Sequence, residues 1–308
     1  MADNHNDGLA GDDATAGAGA VAIIAGNGRL PVELAHGLVA KGERVLILGI
    51  SDEAEPELKK YPYEPIVWGK VGVLFRQLKE HNVDRLVMAG GVVGRPFPRV
   101  LDIDFDGWVT LPRVVSVLVG GGDNALLTGF IEVFEERGFK VCGASQLLPE
   151  FLVKPGPNGQ FKPDKKDRAR MIQGAAVTKR LGPFDIGQAC VVIGKRAVAV
   201  EGVEGTDEML SRIAYLRSIN RLPHKKGGVL VKCAKDGQDE RADLPAIGPQ
   251  TIENVHRAQL NGIGLEAGKT LILDRENTLA LADKLGVYVY GMELSAQDIA
   301  GVSKGAHA

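Results

Sequence analysis

Between Val231 and Thr251 the chain reads VKCAKDGQDERADLPAIGPQT. Lys232, Lys235 and Arg241 place three cations within ten residues, and Asp236, Asp239, Glu240 and Asp243 alternate with them. A run of mixed charge is ordinarily a solvated face. Here, however, Pro245 and the Gly248-Pro249 pair fix the backbone just after Asp243, a stiffness that a solvated tail does not need. Cations beside carboxylates in a stiff loop suit phosphoryl transfer. The cations or a Mg²⁺ ion neutralise phosphate oxygens, and a carboxylate orients metal or water. The loop therefore supplies Asp243, Arg241, Lys232 and Lys235 as catalytic candidates, with Gln238 beside them as a substrate contact.

Four shorter stretches could serve the same site. AGNGRLP (Ala25 to Pro31) is half of a dinucleotide fingerprint: Gly26, Asn27 and Gly28 would bring a phosphate to backbone N–H groups at a helix start. Pro31 stands near the place of the third glycine, and a tight strand-to-helix turn accounts for the pattern equally well. In GGGDNALL (Gly120 to Leu127), Asp123 opens a helix. A cap is the favoured reading, and a metal ligand the alternative. VEGTDEML (Val203 to Leu210) has Thr206 as the expected N-cap, while Glu204 and Asp207 flank Gly205 where a substrate group or metal could approach. GLEAGKTLILDR (Gly264 to Arg275) puts Glu266, Gly268 and Lys269 at a strand end, either as an ion-paired turn or as a second lining of the same cleft. No Cys/His or G-x-S-x-G arrangement supports a nucleophilic triad. The six His, among them His5 and His307 near the ends, show no ligand spacing.

The elements that must position these residues follow from the apolar pattern. Short strands are expected at Val21 to Ala25, Arg44 to Ile50, Arg85 to Ala89 and Lys140 to Gly143. Helices from Pro31 and near Val71 to His81, Leu111 to Val119 and Asn124 to Arg137 alternate with them. Such alternation implies a parallel sheet. KPGPNGQFKP (Lys154 to Pro163) breaks the rhythm as a linker. Asp164 then caps a helix that Gly182 and Pro183 stop. Strands follow at Gln188 to Ile193, Ala197 to Glu201, Gly228 to Cys233, Ile263 to Glu266, Thr270 to Leu273 and Val287 to Tyr290, with helices near Thr206, Gln250 and Glu276. The organisation expected is a tail at 1–20, a domain at 21–153, a linker at 154–163 and a second α/β domain at 164–308.

Composition bounds the function. The 308 residues, 44% hydrophobic and 25% charged, allow two globular domains. A formal net charge of -2 offers no basic excess for a nucleic-acid backbone. Cys142, Cys190 and Cys233 are odd in number and far apart, which suggests no disulfide framework and fits a reducing cytoplasm. No apolar run approaches the roughly 20 residues of a membrane helix. The polar, Gly- and Ala-rich start lacks the features of a secretory signal and is expected to be disordered.

Taken together and in this order, the pieces resemble the LpxI family of UDP-2,3-diacylglucosamine pyrophosphatases. The likeness runs from IAGNGRLP (Ile24 to Pro31) through the Arg95-Pro96 pair, GGDNALL, FEERGFKVCGA (Phe134 to Ala144), FDIGQACVV (Phe184 to Val192) and AVEGVEGTDEML (Ala199 to Leu210). It continues through the Lys232-to-Asp243 loop with DLPAIGPQT to GLEAGKTLILDR. The resemblance implies a Rossmann-like N-terminal domain of parallel strands, a C-terminal α/β domain of the LpxI type, and a lipid A precursor bound between them. It also implies Mg²⁺ or another divalent ion such as Mn²⁺, a homodimer, and hydrolysis to UMP and 2,3-diacylglucosamine 1-phosphate by attack on the glucosamine-side phosphorus. Asp243 matches the family's essential Asp and Glu204 to Asp207 its Glu-Gly-Thr-Asp, so Asp243, Asp207 and Asp123 are the expected metal ligands. Asn124 stands where relatives carry a second Asp, and where relatives often read K-A-P-K-P this chain has Lys232, Cys233, Ala234, Lys235 and Asp236, so the lysines stay but two prolines are lost. The location expected is the cytoplasm, with room for transient contact with the inner membrane. Two rival readings differ in class: a nicotinamide-dependent oxidoreductase built on the glycine turn, and a non-catalytic nucleotide-sugar or lipid-binding module.

Overall fold

The computed structural model describes residues 19–50, 53–67, 69–92, 104, 123–236, 239–241 and 244–302, with the side chains of 123–126 excepted. The expected N-terminal tail, the Arg95-Pro96 pair, the helix near Leu111 to Val119, Gln238 and Asp243 lie outside these residues, as does the side chain of Asp123.

The first half is a parallel sheet in the order β3-β2-β1-β4-β5: β1 (Ala20–Ala25), β2 (Val45–Ile50), β3 (Tyr63–Ile66), β4 (Val83–Ala89) and β5 (Lys140–Val141). The direction of winding reverses between β1 and β4, as in a doubly wound sheet. Alternate residues of β1 serve opposite faces. Val21, Ile23 and Ala25 meet α1 (Arg29–Ala40) through Val32, Leu34 and Leu38. Ala20, Ala22 and Ile24 meet α2 (Val71–Glu80) and α3 (Asp123–Glu136) through Phe75, Leu78, Ile131 and Phe134. A strand buried on both faces must be continuously apolar, and AVAIIA is. Strand β3 escapes the pattern reading because Pro65 interrupts it, which an edge strand tolerates.

A short helix, α4 (Ala144–Leu147), leads to residues 154–163. These are not featureless: they supply β6 (Gly156–Pro157), which pairs antiparallel with Tyr290 and Gly291. The second sheet is mixed, in the order β6-β13-β11-β9-β7-β8. It contains β7 (Ala189–Ile193), β8 (Arg196–Val200), β9 (Val229–Lys232), β11 (Gly262–Glu266) and β13 (Tyr288–Met292), of which β9, β11 and β13 are parallel. One face packs on α5 (Lys165–Leu181), whose Asp164 cap accepts from Asp167 N at 2.7 Å. The other packs on α6 (Gly205–Ser218), α7 (Pro249–Arg257) and α8 (Arg275–Lys284), and α9 (Ala296–Gly301) follows β13.

A two-stranded piece joins the halves. β10 (Ala246–Ile247) and β12 (Leu271–Ile272) pair in parallel, and Leu244 and Leu271 insert into the core beside α1, against Leu148 and Val32. The LPAIGP segment (244–249) is therefore the seam between the two sheets.

Candidate active site

Strands β9 and β11 run parallel, with Leu265 beside Lys232, so Lys232 and Glu266 emerge together at their carboxyl ends. In α/β sheets this is the end where ligands bind. Lys232, only 8% exposed, donates from Nζ to Thr206 Oγ1 at 2.9 Å and to the Ala246 carbonyl at 3.1 Å. Thr206 in turn donates to Glu201 Oε1 at 2.5 Å, and Glu201 Oε2 accepts from Gln188 N at 2.7 Å. Thr206 is thus not the helix cap the sequence suggested. Helix α6 starts at Gly205, whose φ is +78°, and the Thr206 hydroxyl is turned to relay between a cation and a carboxylate. Glu204 occupies the cap position without a capping hydrogen bond and pairs with Arg212 at 3.2 Å.

A second ion pair pins the start of the loop. Lys179, from the last turn of α5, lies 2.9 Å from Glu266 Oε2 and 2.9 Å from Asp236 Oδ1, and donates to the Ala234 carbonyl at 2.9 Å. Glu266 also accepts from Ala234 N at 3.1 Å. Burial works against the Lys179 charge, but the hydrogen bonds to Glu266 and Asp236 outweigh it and hold its pKa above the ordinary lysine value. Between these anchors, burial pushes the Cys233 thiol up to about 12, so it stays protonated and is no nucleophile at neutral pH.

The rest of the loop is tied within its own half by Lys235 and Glu240 and reaches the first half through Arg241. Lys235 pairs with Asp185 at 2.7 Å. Arg241 grips Asp239 through Nε and Nη2 at 3.0 and 2.8 Å, and its Nη1 reaches Glu135 on α3 at 2.6 Å. That bidentate pair holds the Asp239 carboxyl below its usual range and the Arg241 guanidinium above its own. Glu240 pairs with Lys269 at 3.0 Å. Gly143 lies so close beneath that a Cβ there would stand 3.0 Å from the Glu240 carbonyl oxygen. Gly268, at φ +72°, donates to the Val153 carbonyl at 3.0 Å and so ties the turn after β11 to the seam.

The glycine turn is built differently. Gly26 N donates to the Ala89 carbonyl at 2.9 Å, Asn27 N donates to the Gly91 carbonyl at 2.8 Å, and Gly91 N returns a bond to Asn27 O at 3.2 Å. Two of the amides expected to face a phosphate are therefore used within the fold. Gly28, at φ +89° with open space where a Cβ would be, and the N–H groups opening α1 are left for a ligand.

Of the expected metal ligands, only the Asp207 side chain is described. Its Oδ1 accepts from Asn254 at 2.8 Å, and Oδ2 has no hydrogen bond among the described residues. Among these residues no group of three His, Cys, Asp or Glu side chains could by itself hold a metal ion. Sequence reasoning passed over Glu201, Lys179 and Asn254. Lys179 was findable, since it lies four residues from Ala175 and three from Ala176 and therefore on the buried face of α5. Glu201 directly follows β8 and precedes Gly202, and Glu266, which the sequence did mark, likewise stands at a strand end two residues before Gly268.

Two sheets joined at a seam, with cations and carboxylates gathered at the carboxyl end of the second, define an α/β protein with a polar cluster at that sheet edge. Residues 20–151 match the LpxI N-terminal domain family and residues 154–290 the LpxI C-terminal domain family. The chain belongs to the LpxI family. It is 38% identical over 272 residues to the UDP-2,3-diacylglucosamine pyrophosphatase LpxI of Caulobacter vibrioides, an alignment covering 88% of this chain and 96% of that protein.

Proposed function

We propose that this protein hydrolyses UDP-2,3-diacylglucosamine to UMP and 2,3-diacylglucosamine 1-phosphate. The observation that carries the reading is the 38% identity to a pyrophosphatase of that name over nearly its whole length. The charge arrangement agrees with it. Lys179, Lys235 and Arg241 each have a carboxylate partner, whereas Lys232 is held by a hydroxyl and a carbonyl. Among the described residues its Nζ is positioned without a carboxylate partner, the arrangement that suits a diphosphate.

In the proposed reaction the diphosphate lies in the cleft, near Gly28 and the α1 amides on one side and Lys232, Lys235 and Arg241 on the other. Gly26 and Asn27 shape the turn, and Glu204, Gly205, Thr206, Gln238, Glu266 and Gly268 border the cleft. Water attacks the glucosamine-side phosphorus. The new P–O bond forms as the bond to the bridging oxygen breaks, and the electron pair leaves with UMP. Lys232, Lys235 and Arg241 offset the charge on the leaving phosphate, and Asp243 aligns the water or holds the metal.

A divalent ion, Mg²⁺ or Mn²⁺, is part of the proposal, with Asp243, Asp207 and Asp123 as its ligands. Carboxylate oxygens suit such a hard cation. The described residues alone do not compose such a site. When bound, the ion would neutralise phosphate oxygens. No helix among the described residues is long and apolar enough to cross a membrane. A cytoplasmic homodimer with peripheral access to inner-membrane lipid completes the reading, and light scattering of the purified protein tests the dimer.

UMP release from the substrate, with and without EDTA, tests reaction and metal together. Binding without UMP release would favour the non-catalytic module, and full activity after chelation would remove the metal. In ¹⁸O-water the label should enter 2,3-diacylglucosamine 1-phosphate, and label in UMP would overturn the attack site.

A further inference from the structure

The opposite end of the second sheet carries charge of another kind. There β9 and β11 begin, and the β7–β8 hairpin turns at Gly194 and Lys195. Between that hairpin and the segment 221–228 lies a cleft of about 320 Å³. Its described lining includes Arg170, Arg196, Arg221, Lys225 and Lys226 and no carboxylate, with Leu222 and Pro223 as apolar wall. The whole chain has a formal net charge of -2, so five cations around one cleft are a local concentration rather than a reflection of composition.

Two of the five are partly engaged. Arg170 pairs with Asp167 at 2.5 Å and donates to the Gly194 carbonyl at 3.1 Å, while Lys226 donates to the Gly286 carbonyl at 3.1 Å. The side chains of Arg196, Arg221 and Lys225 make no hydrogen bond or ion pair among the described residues, although nothing in the cleft wall repels their counter-ions.

A sixth cation lies behind the wall. Arg217 is 3% exposed, and among the described residues no carboxylate pairs with it. Its guanidinium donates to the carbonyls of Pro223, Lys225 at 3.0 Å, Gly227 at 2.6 Å and Gln259 at 3.3 Å, while its buried Nε has no partner. Buried charges are ordinarily paired with an opposite charge, but here only carbonyl dipoles compensate. The loop's carbonyl oxygens are thereby drawn inward, away from the cleft, and the cleft is left with side-chain cations above a buried positive charge. Low-dielectric walls focus such a field.

We propose that this cleft binds a phosphate-bearing anion, either the headgroup of an anionic lipid or a soluble phosphate compound. The forks of Arg196 and Arg221 match phosphate oxygens, and Lys225 adds a mobile point charge. The site is independent of the proposed reaction. It lies at the amino ends of the parallel strands, whereas Lys232 and Glu266 stand at their carboxyl ends, roughly 13 Å away along a four-residue strand.

The test uses the full-length protein with two probes: sodium pyrophosphate followed by calorimetry, and flotation on phosphatidylcholine vesicles with and without phosphatidylglycerol. The Arg196→Ser/Arg221→Ser/Lys225→Ser variant should melt like the wild type, because those side chains have no partners to lose. It should bind the effective probe on the order of a hundredfold more weakly, and Arg221→Ser alone about fivefold more weakly. Arg241→Ser, at the other end of the sheet, should leave vesicle binding intact and lower only the pyrophosphate binding that the triple variant retains. Binding to pyrophosphate identifies a soluble ligand, and binding only to phosphatidylglycerol vesicles identifies a headgroup. Failure of both probes, or equal binding by the triple variant and the wild type, overturns the proposal. So does a loss of vesicle binding, or of all pyrophosphate binding, in Arg241→Ser.

Discussion

The glycine turn after β1 and the charged edge after β9 both look like phosphate sites in the sequence, yet they are built on opposite plans. At the turn, Gly26 and Asn27 give their amides to Ala89 and Gly91, and the close approach of Gly91 explains the first glycine without any ligand. At the edge, Lys232 is held by a hydroxyl and a carbonyl and has no carboxylate partner among the described residues. A glycine says that backbone comes close, but not whether the neighbour is a ligand or another loop. A buried lysine with no carboxylate partner among the described residues is harder to explain structurally, because burying an ammonium group costs stability that ordinary packing does not return.

If the edge is chemical and the turn structural, variants should divide accordingly. The largest effect is expected for Asp243→Ala, about a thousandfold or more in kcat with binding and melting nearly unchanged, because it removes a group needed in the transition state. Near-wild-type turnover by the folded variant, or collapse of its melting transition, would break the comparison. Lys232→Met keeps the stem and removes the charge. A fall of about a hundredfold in kcat is expected, with Thr206 and Glu201 left in contact. A change confined to stability would make Lys232 a structural residue like Lys179.

How far this division was legible in the sequence differs between the halves of the molecule. β1 and β2 are continuous apolar runs and could be read directly, as could the Asp164 cap. β10 and β12 have two residues each and gain their meaning from Leu244 and Leu271 entering the core of the other half, a long-range contact that no local pattern encodes. The loop's cations were visible from their spacing. What distinguishes them, the carboxylate partner each has or lacks, depends on Glu266, Asp185 and Glu135, which are distant in sequence.

At the turn itself, Gly26→Ala would put a Cβ 2.1 Å from the Gly91 carbonyl oxygen. The backbone of two loops must then shift, at a cost of about 3 kcal/mol, and the melting temperature should fall by about 5 °C or more. Turnover per folded molecule should change far less than in Lys232→Met. A Gly26→Ala protein that melts like the wild type and has lost turnover would reverse the assignment and make the turn the chemical element.

The smallest expected effect separates the seam from the N-terminal sheet by pH. Asp239 is held below the usual carboxylate range by Arg241, against the opposing effect of burial, and Glu43 is held low by Arg85 in the same way. A depressed folded-state pKa stabilises the protein above the unfolded value, about 4 for a carboxylate, and the contribution is lost as pH falls through the lower folded value. Both pairs are partly solvated, so each is worth about 1 kcal/mol or less. At pH 7, Asp239→Asn and Glu43→Gln should each melt slightly below the wild type, and both differences should close as pH falls below about 4. The two variants should differ in one respect. Arg241 also reaches Glu135 across the seam, whereas the Glu43–Arg85 pair lies within the first half. Asp239→Asn should therefore loosen the coupling between the halves and broaden or split the calorimetric transition at pH 7, while Glu43→Gln shifts a single transition. A gap that widens as the pH falls would contradict the sign, and identical transition shapes would remove Asp239 from the seam.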